Sequence, residues 1–326
     1  MTKNLKRILT GVQSTGIPHL GNILGAIIPA INFSKKDDSE TYLFIADFHS
    51  LTQIKNSELL KQNTLHTASV WLACGLDPVK TVFYRQSDVP QVTELTWYLS
   101  CFFPYNRLTL AHSFKDKKDR LEDVNSGLFN YPMLMAADIL LYDAQIVPVG
   151  KDQLQHLEIT RSVANRFHNI FGETFVIPQE HLQEESKLIP GTDGEKMSKS
   201  KNNVINIFAS EKELKKQIQS IKTDSTALEK PKDWKSCNLF KIYSLIASNK
   251  QIEAMKTNYQ NGGYGYGHGK KDLVELILNK YSKEREKYNY YISNPNEVEK
   301  ILIQGSLKAK TTAGEVLNRV RKKLGY

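Results

Sequence analysis

Two short segments, far apart in the chain, carry side chains suited to handling phosphate. The first is Gly11-Val12-Gln13-Ser14-Thr15-Gly16-Ile17-Pro18-His19-Leu20-Gly21-Asn22, directly after the strand-like run Arg7-Ile8-Leu9-Thr10. The second is Gly194-Glu195-Lys196-Met197-Ser198-Lys199-Ser200. Small residues between a buried strand and a helix let the backbone approach phosphate oxygens. A helix beginning near Leu20-Gly21 is then expected to offer unpaired N–H groups and a positive dipole end. His19 and the amide of Asn22 stand where they can donate to a phosphoryl group, with Gly11 and Gln13 lining the same mouth. The dinucleotide fingerprint Gly-x-Gly-x-x-Gly is absent, and no Gly-Lys-Ser/Thr follows as in a Walker loop. Alone, the segment fits an ordinary strand–turn–helix equally well.

The second segment supplies the missing charge. Pro190-Gly191-Thr192-Asp193-Gly194 before it is all turn chemistry, so the lysines are expected on a mobile loop. Two ammonium groups closing over the β- and γ-phosphates would stabilise pyrophosphate as it leaves. Nucleotidyl transfer needs mostly positioning and charge neutralisation, so no covalent protein intermediate is required.

A third feature is the segment Asn130-Tyr131-Pro132-Met133-Leu134-Met135-Ala136-Ala137-Asp138-Ile139-Leu140-Leu141-Tyr142, apolar around a single carboxylate. A carboxylate in such a helix requires a partner, because desolvating it is costly. Met135 and Asp138 are spaced i, i+3 and share a face, giving an apolar wall beside one acceptor. An aromatic ring with a donor fits there, and an indole N–H, which only donates, suits an ionised carboxylate. A phenol hydroxyl could donate as well. The alternative is internal pairing of Asp138, with His156 or Arg161 as partners.

Positioning these groups requires a frame. Thr41–Ala46 is a short apolar run ending at Asp47-Phe48-His49, as in a buried parallel strand. A helix from about Ser57 to Cys74 stops at Gly75-Leu76-Asp77-Pro78. Thr81–Tyr84 and Gln145–Val149 read as further strands, and the alternation implies a parallel sheet covered on both faces. From about Val89 to Gly127 it lapses into helical segments near Glu94–Phe102 and a charged stretch, Lys115–Arg120, read as an insertion between the halves of the nucleotide fold. After Lys201 strand signals fade, and Glu211–Ile221, Leu239–Ala247, Asp272–Tyr290 and Ala313–Leu324 read as helices. The glycine-rich stretch Gly262–Gly269 is expected to be a loop joining two of them. The reading is therefore an α/β catalytic domain, residues 1–204, and a helical domain, residues 205–326, whose last helix packs back on the first.

At 326 residues the chain can bury a large core, and 40% apolar with 24% charged residues is the composition of a globular protein. No apolar run is long enough to span a bilayer. The first residues lead straight into a strand, so no targeting segment is expected and a cytoplasmic location is. Cys74, Cys101 and Cys237 form no Cys-x-x-Cys pair, which argues against a structural zinc site or disulfide framework. Residues 201–326 hold 24 Lys+Arg against 13 Asp+Glu, whereas the first 200 hold 20 against 22. A basic C-terminal part suggests a polyanionic partner.

The two phosphate segments together resemble the signature motifs of class I aminoacyl-tRNA synthetases. Tyr131-Pro132-x-Leu134-Met135-Ala136-Ala137-Asp138-Ile139-Leu140-Leu141-Tyr142 and Val147-Pro148-Val149-Gly150-x-Asp152-Gln153-x-Gln155-His156 are similar to the bacterial tryptophanyl family over essentially the whole chain. The resemblance implies a Rossmann-like catalytic domain, a helical anticodon-binding domain, and a homodimer that forms tryptophanyl-adenylate from ATP, with Mg²⁺, and then charges the tRNA for tryptophan. It implies His19, Asn22, Lys196 and Lys199 as catalytic groups. Gln13, Ser14, Thr15, Gly21, Asn22, Gly150, Lys151, Asp152 and Leu188 would surround ATP, with Lys196, Met197, Ser198, Lys199 and Ser200 over its phosphates. Asp138 would accept the indole N–H, Met135 would pack on the ring, Tyr131 and Gln153 would address the α-amino group, and His49 would lie near the pocket. This chain departs from the family pattern at Leu9, Ser14 and Lys151, the last placing a positive charge beside the expected ribose contact. Tyrosine-activating relatives share these signatures but commonly carry a Tyr on the first strand, where Leu9 and Gly11 stand here. A non-catalytic RNA-binding relative would not need to keep both phosphate motifs.

Overall fold

The computed structural model describes residues 5–35, 38–111, 124–182 and 189–326. The stretch Lys115–Arg120 and Leu188 lie outside them. Strand β1 (Lys6–Val12) is the middle of a five-stranded sheet, with β2 (Ser39–Ile45) and β3 (Thr81–Arg85) on one side and β4 (Ile146–Val149) and β5 (Gln179–Leu182) on the other. Every pairing is parallel, and Gly11 lies opposite Phe44 in the β1–β2 register. The order 3-2-1-4-5 is that of a doubly wound Rossmann-like sheet. Its ligand crevice opens at the C-terminal ends of β1 and β4, where the winding reverses.

Side chains alternate along each strand. On β2, Leu43 and Ile45 join one core layer, while Tyr42 and Phe44 join the other. The first layer is covered by α1 (Leu20–Asn22), which continues through the π-helical turn Ile23–Ile27 into α2 (Ile28–Ser34), and by α4 (Ser57–Ala73). The short α3 (Asp47–Ser50) follows β2 directly. The second layer is covered by α5 (Gln91–Phe102), α6 (Tyr105–Leu108), α7 (Ser126–Leu140) and α8 (Leu154–Phe171).

Beyond residue 205 come α9 (Glu211–Gln219), α10 (Asn238–Ser244), α11 (Asn249–Asn261), α12 (Tyr266–Lys280), α13 (Ser282–Ser293) and α14 (Pro295–Leu324). Their apolar faces share one continuous core with the first layer, through Ile205, Leu214, Ile242, Ile277 and Tyr288. Several sequence expectations need correction here. Helix α11 was not expected. The single helix Asp272–Tyr290 is two, α12 and α13, broken at Tyr281, whose ring is buried. Only the start of the glycine-rich stretch is a loop: Gly262 and Gly263 take positive φ, but Tyr266–Gly269 already belong to α12. The last helix is 30 residues long rather than the dozen from Ala313.

That long helix crosses an edge of the sheet. Val298 and Leu302 join the first core layer, and Ala309, Ala313, Val316 and Val320 join the second. At the crossing Gly305 lies against the Phe83 carbonyl of β3, where a Cβ would overlap the backbone. Thr312 shares a hydrogen bond with Tyr42 at 2.9 Å, Arg319 pairs with Asp143 at 2.5 Å, and Arg321 pairs with Glu94 at 2.5 Å. The missing side chain at Gly305 is what lets the helix press onto the strand.

Candidate active site

The loop after β1 turns at Gly16, whose φ of +119° favours glycine strongly. His19 follows in extended backbone and caps α1. Its Nδ1 accepts the Asn22 N–H at 3.3 Å, and Asn22 Oδ1 accepts the His19 N–H at 3.2 Å. With Nδ1 used as an acceptor, the imidazole proton sits on Nε2, the nitrogen left to donate to a ligand. Burial, followed by the positive charge of Lys199, lowers the His19 pKa to about 4, so the ring is neutral near pH 7.

The two phosphate segments meet at this corner. The Gly21 N–H points at Met197 Sδ, 3.3 Å away, and the Leu20 N–H donates to the Ile205 carbonyl at 2.8 Å. The first-turn N–H groups of α1 are therefore taken by Ile205, Met197 and His19. This overturns the expectation that they stand free for phosphate. Lys199 carries its ammonium over Gly16, 3.3 Å from where a Cβ would stand. Though the side chain as a whole is exposed, burial of its charged end lowers its pKa to about 8.

The lysine loop is a tight hairpin. Gly191 N–H bonds the Glu195 carbonyl at 2.7 Å, Met197 N–H bonds the Ile189 carbonyl at 3.0 Å, and Gly194 takes φ +91° at the turn. Loop and corner enclose a cleft of about 760 Å³. Gln13, Thr15, His19, Gly21, Asn22, Lys196, Met197, Ser198, Lys199 and Ser200 line it, joined by Gly25, Gln53, Ile189 and Lys201. None of these carries a carboxylate.

Beside the cleft, past the C-terminal ends of the strands, lies a buried carboxylate. Asp138 is 3% exposed. Its Oδ2 meets His49 Nε2 at 2.8 Å, and Gln86 Nε2 donates to both oxygens at 2.8 and 2.9 Å. Gln86 is oriented in turn by the Phe48 N–H, which its Oε1 accepts at 3.1 Å. Burial pushes the Asp138 pKa up, while His49 and Gln86 oppose that. The internal partners are thus His49 and Gln86, not His156 or Arg161; Arg161 pairs with Glu158 and Glu180 instead. Tyr131 stands edge-on to His49 with ring centres 4.4 Å apart, and its hydroxyl accepts from Gln13 Nε2 at 3.3 Å. Gln13, Tyr131 and His49 therefore form a chain of contacts from the cleft to Asp138. His49 Nδ1 is buried with no protein partner among the described residues.

The family described as tRNA synthetases class I (W and Y) matches residues 2–282. Tryptophan–tRNA ligases from Campylobacter jejuni and Rhodopirellula baltica are 49% and 44% identical to this chain, each aligned over 98% of it and 99% of the relative. A tryptophanyl-tRNA synthetase from C. jejuni, solved with ADP and tryptophan, superposes with a TM-score of 0.95 at 48% identity, covering 98% of this chain and all of that one. One from Mycoplasma pneumoniae superposes at 0.80 with 30% identity, covering 99% and 98% of the two chains. This chain belongs to the tryptophanyl-tRNA synthetases of class I.

The remaining expected site residues of this synthetase lie in several places. Ser14 is fully buried beneath the cleft, its hydroxyl 3.2 Å from that of Ser50, so its side chain is not part of the lining. Gly11 sits over the Phe44 ring at the end of β1. Gly150 follows β4, and Lys151, Asp152 and Gln153 form the turn after it, at the reversal of strand order. Met135 packs half-buried against the second core layer. Leu188 lies outside the described residues. Sequence reasoning missed Gln53, Gln86, Lys201 and Asn203. Gln86 directly follows β3, and a polar residue just past the C-terminal end of a parallel strand was the available signal.

Proposed function

We propose that the cleft binds ATP and the Asp138 site binds L-tryptophan, so that the tryptophan carboxylate attacks the α-phosphorus. The products are tryptophanyl-adenylate and pyrophosphate, and the amino acid then passes to its tRNA. The observation carrying this reading is the meeting of the two segments at Gly21 and Met197, which sets Lys199 over Gly16 and beside neutral His19.

His19 donates from Nε2 to a phosphate oxygen as charge develops, and Asn22, its Oδ1 held by the His19 N–H, donates from its NH₂. Lys196 and Lys199 neutralise the departing pyrophosphate, with Gln13, Thr15, Gly21, Met197, Ser198 and Ser200 shaping the cleft around it. Gly11, Gly150, Lys151, Asp152 and the backbone at Ser14 complete the nucleotide's surroundings. Around the tryptophan, Asp138 accepts the indole N–H, Met135 walls the ring, Tyr131 and Gln153 address the α-amino group, and His49 lies at the indole end, bonded to Asp138. Mg²⁺ would accompany ATP, bound to its phosphates and offsetting their charge; the described lining of amides, hydroxyls and ammonium groups would meet the phosphates rather than the ion.

Two further parts of the proposal concern assembly. The basic helices from residue 205 receive the tRNA anticodon, residues 1–204 forming the catalytic domain. The chain pairs with a second copy through the insertion at about 89–127, where Trp97, Tyr105 and Leu110 are 70%, 69% and 56% exposed. Aromatic residues such as Trp97 and Tyr105 are enriched at protein interfaces. Among the described residues no helix is long and apolar enough to cross a membrane. Action on tRNA in the cytoplasm is part of the same proposal.

Single-turnover formation of tryptophanyl-adenylate tests the site. His19→Ala and Lys199→Ala are each expected to slow it by about 10²–10³-fold, the cost of removing one transition-state donor. Unchanged rates in both would remove the cleft from the reaction.

A further inference from the structure

One buried side chain fastens both arms of the lysine loop. Asn203 is 2% exposed. Its Nδ2 donates to Asp193 Oδ1 at 2.7 Å and to the Lys196 carbonyl at 3.1 Å, while its Oδ1 accepts the Ser198 N–H at 2.7 Å. Its own carbonyl accepts the Thr192 N–H at 2.9 Å, and Gly191 approaches it so closely that no Cβ would fit. From the helical part, Asn238 Nδ2 donates to the Gly191 carbonyl at 2.9 Å, and the Lys222 N–H to that of Thr192 at 2.7 Å. The first arm is thereby braced from outside, and Asn203 ties the lysine-bearing arm to it.

We propose that Asn203 is a positioning residue for ATP cleavage, its one amide fixing Lys196 and Lys199 at the height over the first segment from which they reach the departing phosphates. This rests on the reading of those lysines as phosphate ligands. The chemistry calls for an amide: it donates to Asp193 and Lys196 and accepts from Ser198, whereas a carboxylate only accepts. An aspartate here would lose both donated bonds and set its charge against that of Asp193.

The test compares Asn203→Asp, the double variant D193N/N203D and Lys199→Ala in pyrophosphate exchange, with thermal melting alongside. Asn203→Asp is expected to lower the saturated rate about 10²-fold, the scale set by displacing a catalytic group by about an ångström, with the tryptophan KM unchanged. In D193N/N203D the new amide at 193 can donate to the new carboxylate at 203, which relieves the charge repulsion and re-ties the arms while the Lys196 carbonyl stays unpaired, so about tenfold of the rate, not all of it, should return. A full rate in Asn203→Asp, or no recovery in the double variant despite a native melting temperature, would overturn the proposal. So would a drop in melting temperature with an unaltered rate per folded molecule. If Lys199→Ala is slow while Asn203→Asp is normal, only this proposal fails; if Lys199→Ala is normal, the phosphate reading fails and takes this proposal with it.

Discussion

His19 and Asn22 hold one another: the histidine Nδ1 accepts the asparagine N–H at 3.3 Å, and the asparagine Oδ1 accepts the histidine N–H at 3.2 Å. The pair fixes one tautomer of a ring that burial keeps neutral. A ¹⁵N-resolved titration should find His19 with its proton on Nε2 down to about pH 4. The sign for stability follows. A histidine pKa depressed on folding contributes stability present above the unfolded value, about 6.5, and lost as pH falls through about 4. His19→Asn should flatten the stability profile in that window; an unchanged slope would contradict the assignment.

Lys199 titrates near its working range. Its pKa of about 8 means that the fraction carrying positive charge falls as pH rises through that value. The ATP KM should therefore climb above about pH 8, by up to tenfold per unit, because the charged form is the one that binds phosphate. Lys199→Arg should abolish the climb, since a guanidinium stays charged. A flat KM profile in the unmodified enzyme would remove Lys199 from the phosphates.

On the proposed assignment, Asp138 separates the two substrates. Asp138→Ala leaves the indole N–H without an acceptor, a loss of about 1–3 kcal/mol, so the tryptophan KM should rise roughly tenfold to a hundredfold. The ATP KM should hold. Gln86→Leu should weaken tryptophan by less, since His49 still contacts the carboxylate. Equal losses for both substrates in Asp138→Ala would take the acid out of the specificity role.

Trp97 offers a test of the assembly. Trp97→Glu puts a charge at the exposed aromatic side chain of α5, and light scattering should then report one chain where the unaltered protein is expected to report two. A dimer in both would place the interface elsewhere.

Gly305 tests the fold. An added methyl meets the Phe83 carbonyl, and backbone cannot yield as a side-chain tip can. Gly305→Ala should cost about 1–3 kcal/mol by overpacking, visible as a lower melting temperature; an unchanged one would mean the long helix sits farther from β3.

Strands β1 to β4 were legible because buried parallel strands are continuous apolar runs with turn chemistry at their ends, and the chemistry-bearing residues sit at those ends. The residues that build the site sideways were not legible. Nothing in the local sequence of Asn203 marks it, because its partners, Asp193, Lys196 and Ser198, are defined only once the loop folds back. The same holds for Gln86, which reaches Asp138 across 52 positions. Expecting free N–H groups at Leu20 and Gly21 failed for a related reason: Ile205 and Met197, distant in sequence, arrive to accept from them. Helix α14 was underestimated because Gly305 interrupts the local pattern and serves a tertiary contact instead.

The most direct test of the account is exchange of labelled pyrophosphate into ATP, run with each of the twenty amino acids in turn. The lysine loop and the Asp138 site, in a chain belonging to the tryptophanyl-tRNA synthetases, predict exchange with tryptophan alone. Exchange supported by tyrosine would keep the phosphate chemistry and contradict the reading of Asp138; no exchange with any amino acid would contradict the account at its centre.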